Sequence, residues 1–163
     1  MQNGKVSYIV KAGLVAALYA VLTVILAPIS FGLVQCRVSE ALCVLPAVLG
    51  SSVPGLALGC LIANLITGAP VYDIIFGSVA TLIGAIGTAF LSKRNMPVWT
   101  FPFPAILSNG LIVGTVLALV YEVPASLLVC MLSVTAGEAV AMYALGLPFL
   151  YLIRKKNWDF LHD

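Results

Sequence analysis

The stretch ALCVLPAVLGSSVPGLALGCLIANLITG, residues 41–68, runs for 28 residues without an acid, a lysine, an arginine or a histidine. A turn at Ser51-Ser52-Val53-Pro54-Gly55 divides it into two apolar runs. As helix the stretch reaches about 42 Å, whereas two straight crossings of a roughly 30 Å hydrocarbon layer need about 60 Å. The runs therefore cannot both be ordinary membrane spans. Either the first borrows residues from the 34–39 loop, or one helix is short or broken, which Pro46 and Pro54 favour. Irregular backbone at membrane depth survives only inside protein or beside a polar cavity, so this stretch is expected to line one.

The flanking sequence has the same character. The 163 residues are 62% hydrophobic and 9% charged, against roughly 25% charged in a soluble domain. Apolar runs fall near 8–27, 41–50, 54–68, 74–91, 103–121 and 125–147. They are separated by Pro28, the 51–55 turn, Gly68-Ala69-Pro70, Lys93-Arg94-Asn95 with Pro97, and Val123-Pro124. The expected fold is an all-α integral membrane protein: one domain over 1–163, a compact bundle of six transmembrane helices, with a basic tail at 154–163. The first run resembles a signal peptide, but its apolar part exceeds the roughly 7–15 residues of such a segment, so it reads as a retained span.

Charge sets the orientation. Lys5 and Lys11 are placed before the first span, Lys93 and Arg94 after the fourth, and Arg154, Lys155 and Lys156 after the sixth. Six spans put all seven on one side, which the positive-inside rule makes cytoplasmic, with Arg37 on the other face. Trp99, Phe101, Phe103 and Trp158 fit an interfacial aromatic belt.

Polar residues within spans are costly and point to function by default. Glu138 lies mid-span, and no lysine or arginine is expected within any span to neutralise it. It is either a ligand contact or a protonated acid hydrogen-bonded within the bundle. Asn64 and Asn109 either contact a ligand or tie helices together. Arg37, Glu40 and Asp73 mark the outer boundary, and Arg37 and Glu40, three apart, are also spaced to pair with each other. Ala12, Ala16 and Ala20 form a small-residue stripe suited either to a partner helix or to internal packing.

Several chemistries are disfavoured. Cys36, Cys43, Cys60 and Cys130 form no CxxC pair, and the sole histidine, His162, is in the tail. No metal site, disulfide framework, cofactor or catalytic residue is expected. HExxH and phosphate-loop motifs are missing, so ATP-driven work requires separate ATPase chains. With eight basic residues, seven of them placed at cytoplasmic span flanks, nucleic-acid binding has no support.

The segments ISFGLVQCRVSEALCVLP (29–46), PGLALGCLIANL (54–65) and DIIFGSVATL (73–82), after a long first span with small residues, resemble the substrate-binding S-components of energy-coupling factor transporters. The likeness is to the queuosine-precursor branch, QueT, and runs from about Lys11 to Arg154. It implies a non-enzymatic six-helix subunit of a prokaryotic plasma membrane that captures a micronutrient outside the cell. It further implies association with a transmembrane T-component and two ATP-binding-cassette ATPases. A 7-deazaguanine such as preQ1, queuine or queuosine offers two ring donors to one carboxylate and a cationic amine to another. Glu138, Glu40 and Asp73 would supply the acids, Asn64 and Asn109 the amides, and Phe31, Tyr72 or Phe76 an aromatic face, with Arg37 also at the site. The alternatives are an S-component for another vitamin or nucleobase, or a small membrane-embedded enzyme or assembly subunit.

The charge distribution makes a first prediction. Both termini are cytoplasmic, so cysteines introduced near residues 3 and 160 remain unlabelled by an impermeant thiol reagent in intact cells. Labelling from outside would overturn this orientation.

Overall fold

A computed structural model describes residues 2–27, 37–121 and 125–156. Phe31, Cys36, Trp158 and His162 lie outside the described residues. The chain is all-helical there: α1 (Gln2–Ile25), α2 (Val38–Ala47), α3 (Ser52–Ile66), α4 (Asp73–Lys93), α5 (Phe103–Val120) and α6 (Leu127–Lys155). A 3₁₀ turn, Val98–Thr100, leads into α5. Four segments, Gly4–Ile25, Asp73–Lys93, Val98–Val120 and Leu127–Lys155, are long and apolar enough to cross a membrane. The α2 and α3 helices are not.

The α2 helix is a 3₁₀ helix of 10 residues and α3 an α-helix of 15. They reach about 20 Å and 22 Å at their respective rises, short of a roughly 30 Å core. Long 3₁₀ runs are uncommon because their hydrogen bonds are poorly aligned. Here Pro46 removes a donor, and Ser39 to Pro46 are buried without interruption. Enclosed by α1, α4 and α6, this helix lies where irregular backbone is tolerated.

The bundle is inverted relative to a soluble protein. Large apolar side chains such as Ile9, Leu14, Ile83, Leu111, Leu119 and Leu128 face outward, while Arg37, Glu40, Asn64, Asp73, Asn109 and Glu138 are buried. With lipid as the outer solvent, packing inside falls to small residues and hydrogen bonds.

The α1–α3 seam shows how close that packing is. A Cβ on Gly55 would lie 2.6 Å from the Ala12 carbonyl oxygen, and one on Gly59 would lie 2.8 Å from both the Ala16 carbonyl oxygen and the Tyr19 Cβ. Ala12, Ala16 and Ala20 are buried on this side. The stripe read as a partner interface is therefore an internal seam, because α3 presents glycines where α1 presents alanines. The outward face of α1 carries Gly13, Leu14, Ala17 and Leu18 instead.

Further expectations are corrected. Lys5 and Lys11 lie within α1 rather than before it, and Lys11 is on the buried face with Ala12 and Val15. A basic residue thus does occur within a span. The last helix continues to Lys155 instead of ending near 147, absorbing Pro148 just after a π-helical turn at Ala141–Gly146. Phe101 is buried beneath the Arg154 guanidinium, 5.4 Å from its ring centroid, and belongs to the interior rather than to an aromatic belt. Trp99 and Phe103 remain on the outside, stacked edge to face at 5.9 Å.

The seam yields a second prediction. Gly59→Ala forces the Ala16 backbone or Tyr19 to move, lowering stability by about 1–3 kcal/mol in a detergent melt, while Ala17→Leu on the outward face is neutral. Equal stability of the two variants would remove the close approach.

Candidate functional site

One buried polar cluster occupies the region where α1 to α6 converge, and it is organised around the Glu40 carboxylate. Glu40 is fully buried on the first turn of α2. Tyr19 on α1 donates its hydroxyl to Glu40 Oε1. Thr81 on α4 donates to the same oxygen at 3.1 Å, and the Cys43 thiol donates to Oε2 at 2.9 Å. A carboxylate has about four acceptor positions, so three of those on Glu40 are filled from within. Beside this hub Thr23 donates to Ser39 at 2.7 Å, a second tie between α1 and α2.

Asp73 forms the second centre. The α3 helix ends in a Schellman motif: Gly68 has φ +68°, its N–H bonds Leu65 O, and the Ala69 N–H bonds Asn64 O. That tight stop lets the chain return within a few residues to α4, which opens with a π-helical turn, Asp73–Gly77. Such turns shift the register of side chains along a helix and are frequent at functional sites. Asp73 Oδ2 accepts from the Tyr121 hydroxyl at the end of α5, and its carbonyl accepts from Asn64 Nδ2 at 2.9 Å. A Cβ on Gly77 would sit 3.2 Å from Asn64 Nδ2 and 3.6 Å from Arg37 Nη1, so this glycine admits both side chains. Arg37 shares its buried surroundings with Tyr19, Cys60, Glu40 and Asp73.

Glu138 on α6 is the third centre. It faces Asn109 on α5, with Glu40 and Arg37 also nearby. Its Oε2 finishes without a hydrogen-bond partner, as do both polar atoms of the Asn109 amide and Asn64 Oδ1. Buried polar groups are nearly always satisfied, because an unpaired one costs about 1–3 kcal/mol. This unmet capacity lies on α3 and on the packed pair α5 and α6.

The structure thus brings together six residues singled out from sequence: Arg37, Glu40, Asn64, Asp73, Asn109 and Glu138. It divides their surroundings: Glu40 accepts from three internal donors, whereas Glu138 has the Asn109 amide beside it and keeps Oε2 without a partner. Tyr72 and Phe76 are not brought in. They are 55% and 44% exposed and line an apolar groove of about 710 Å³ with Val79, Leu111, Thr115 and Leu119 on the outer surface. They flank or lie within the turn that carries the buried Asp73, on its outward side. Phe31 lies outside the described residues.

Tyr19, Cys43, Cys60, Thr81 and Tyr121 belong to the cluster but do not stand out in the sequence. Tyrosine, threonine and cysteine are ordinary in apolar helices. The one available signal was the position of Tyr19 on the Ala12–Ala16 face and of Cys43 three residues beyond Glu40. Among the described residues, no group of three or more His, Cys, Asp or Glu could hold a metal ion.

No curated protein and no solved structure matches the chain. The family model described as QueT transporter matches residues 9–155, nearly the whole chain and every helix that contributes to the cluster. A transport subunit built of apolar helices around a buried polar site accords with that match, and the chain belongs to the QueT transporter family.

Proposed function

We propose that the chain is the substrate-binding S-component of an energy-coupling factor importer in a prokaryotic plasma membrane, and that its cargo is a queuosine precursor. The observation that carries this reading is the set of unpaired buried atoms, Glu138 Oε2, the Asn109 amide and Asn64 Oδ1. A carboxylate and two amides suit a small planar heterocycle with both donors and acceptors. The acidic balance of the cluster, with Glu40, Asp73 and Glu138 around the single Arg37, suits a ligand that also carries a cation. A 7-deazaguanine with an aminomethyl substituent has both features.

In this reading α2 and α3 complete a six-helix bundle, with both termini cytoplasmic. If α2 and α3 instead form a partial hairpin returning to the outer side, the four long helices give the same orientation. The chain captures and releases cargo, while a transmembrane T-component and two ATP-binding-cassette ATPases supply the work. The absence of a phosphate loop from the sequence supports that division.

Calorimetric titration of purified protein with 7-aminomethyl-7-deazaguanine is expected to give saturable binding that a 7-deazaadenine does not compete, and native mass spectrometry is expected to find a deazapurine retained from cells. Folded protein that binds no deazaguanine would overturn the assignment of cargo. In proteoliposomes containing ATP, the chain alone is expected not to accumulate substrate, and accumulation is expected once the T-component and ATPases are added. ATP-driven accumulation by the chain alone would overturn the assignment as an S-component.

A further inference from the structure

Glu138 and Asn109 are a pair with hydrogen-bonding capacity left over inside the bundle. Each is 2% exposed. The Asn109 amide faces the Glu138 carboxylate, yet Glu138 Oε2, Asn109 Nδ2 and Asn109 Oδ1 complete no hydrogen bond. Their helices are held close by glycines. Gly110, beside Asn109, abuts Thr135, and a Cβ on Gly114 would lie 2.6 Å from the Met131 Cα. The spacing of the two side chains is therefore fixed by backbone contact between α5 and α6. The other two buried acids among the described residues are already occupied, Glu40 by Tyr19, Thr81 and Cys43 and Asp73 by Tyr121.

The geometry points to Glu138 and Asn109 as the pair that reads the hydrogen-bonding edge of a guanine-type base, Glu138 at the ring N1–H and the C2 amine, Asn109 at the C6 carbonyl. This rests on the reading of the chain as a deazaguanine-binding subunit. Two acceptors followed by a donor complement an edge that presents two donors and an acceptor. An adenine-type edge sets its N1 lone pair against the carboxylate. A xanthine-type edge does the same with its C2 oxygen. A site that leaves buried polar groups mismatched rejects such analogues strongly, so selectivity comes from repulsion as much as from attraction.

Substituting Glu138→Gln tests the assignment because it preserves size and exchanges one acceptor for a donor. The amide oxygen still accepts from N1–H, while the amide nitrogen repels a C2 amine and donates to a C2 oxygen. The experiment titrates wild type, Glu138→Gln and Asn109→Ala with 7-aminomethyl-7-deazaguanine and with its C2-oxo counterpart, in mildly acidic buffer where both rings are neutral. Wild type is expected to prefer the amino base. Glu138→Gln is expected to lose about 10- to 150-fold for the amino base and to gain for the oxo base, inverting the preference. Asn109→Ala is expected to weaken both bases alike, because both carry the C6 carbonyl.

Equal weakening of the two bases by Glu138→Gln, or affinities within about twofold of wild type, overturns the assignment. If Glu138→Gln does not fold, Asn109→Ala decides, and wild-type affinity for both bases in that variant removes the pair. Binding of the amino base by wild type with an unaltered preference in Glu138→Gln leaves the transport reading standing and defeats the edge assignment alone. Failure of wild type to bind either base defeats both.

Discussion

Charge placed inside a lipid-solvated bundle must be matched there, and the Glu40 carboxylate is where this protein meets that requirement. Donors from α1, α2 and α4 converge on its two oxygens. Glu40 is fully buried, so each of these bonds is held in a medium of low polarity and loss of one leaves its partner exposed to the full cost of burial. Glu40 consequently fixes the first turn of α2 relative to two other helices, α1 and α4. The short, distorted α2 helix has too little regular hydrogen bonding to hold itself there.

The close α1–α3 seam follows from the same constraint. Tyr19 reaches Glu40 only because α1 lies against the glycine face of α3, where Gly59 abuts its Cβ. Lipid offers no hydrophobic drive to push apolar helices together. Contact between backbones, made possible by Ala12, Ala16, Gly55 and Gly59, provides dispersion attraction instead, and the polar tie from Tyr19 to Glu40 fixes the register. Packing and electrostatics are thus one device here, with the stripe of small residues serving the site from within.

Against this satisfied hub the unsatisfied groups gain meaning. Tyr121 and Asn64 hold Asp73, and Tyr19, Thr81 and Cys43 hold Glu40, so the donors and acceptors that remain on Glu138, Asn109 and Asn64 are pre-positioned by rigid neighbours. In the proposed reading such an arrangement suits binding, since groups ordered in advance lose little entropy when a ligand arrives. The outward-facing side chains, by contrast, are large and apolar and vary little in chemistry, as lipid contact demands.

The sequence by itself determined the class of the protein: hydrophobic runs with basic flanks have no stable place except a bilayer. It also indicated that residues 41–68 are too short for two regular crossings. It further singled out six buried polar residues, because any acid, arginine or asparagine in an apolar run is costly enough to require a reason. Only the tertiary structure decided which of these residues are spent on one another. Hydrogen-bond partners such as Tyr19 and Glu40, or Tyr121 and Asp73, are distant in the chain and leave no spacing signal. Only the tertiary structure showed that Tyr72 and Phe76 face outward, since a π-turn shifts the register of side chains along a helix without altering hydropathy. The partner of the Ala12–Ala16 stripe was undetermined for the same reason: a run of small residues records that something approaches closely, and the glycines of α3 that do so belong to a different segment of the chain.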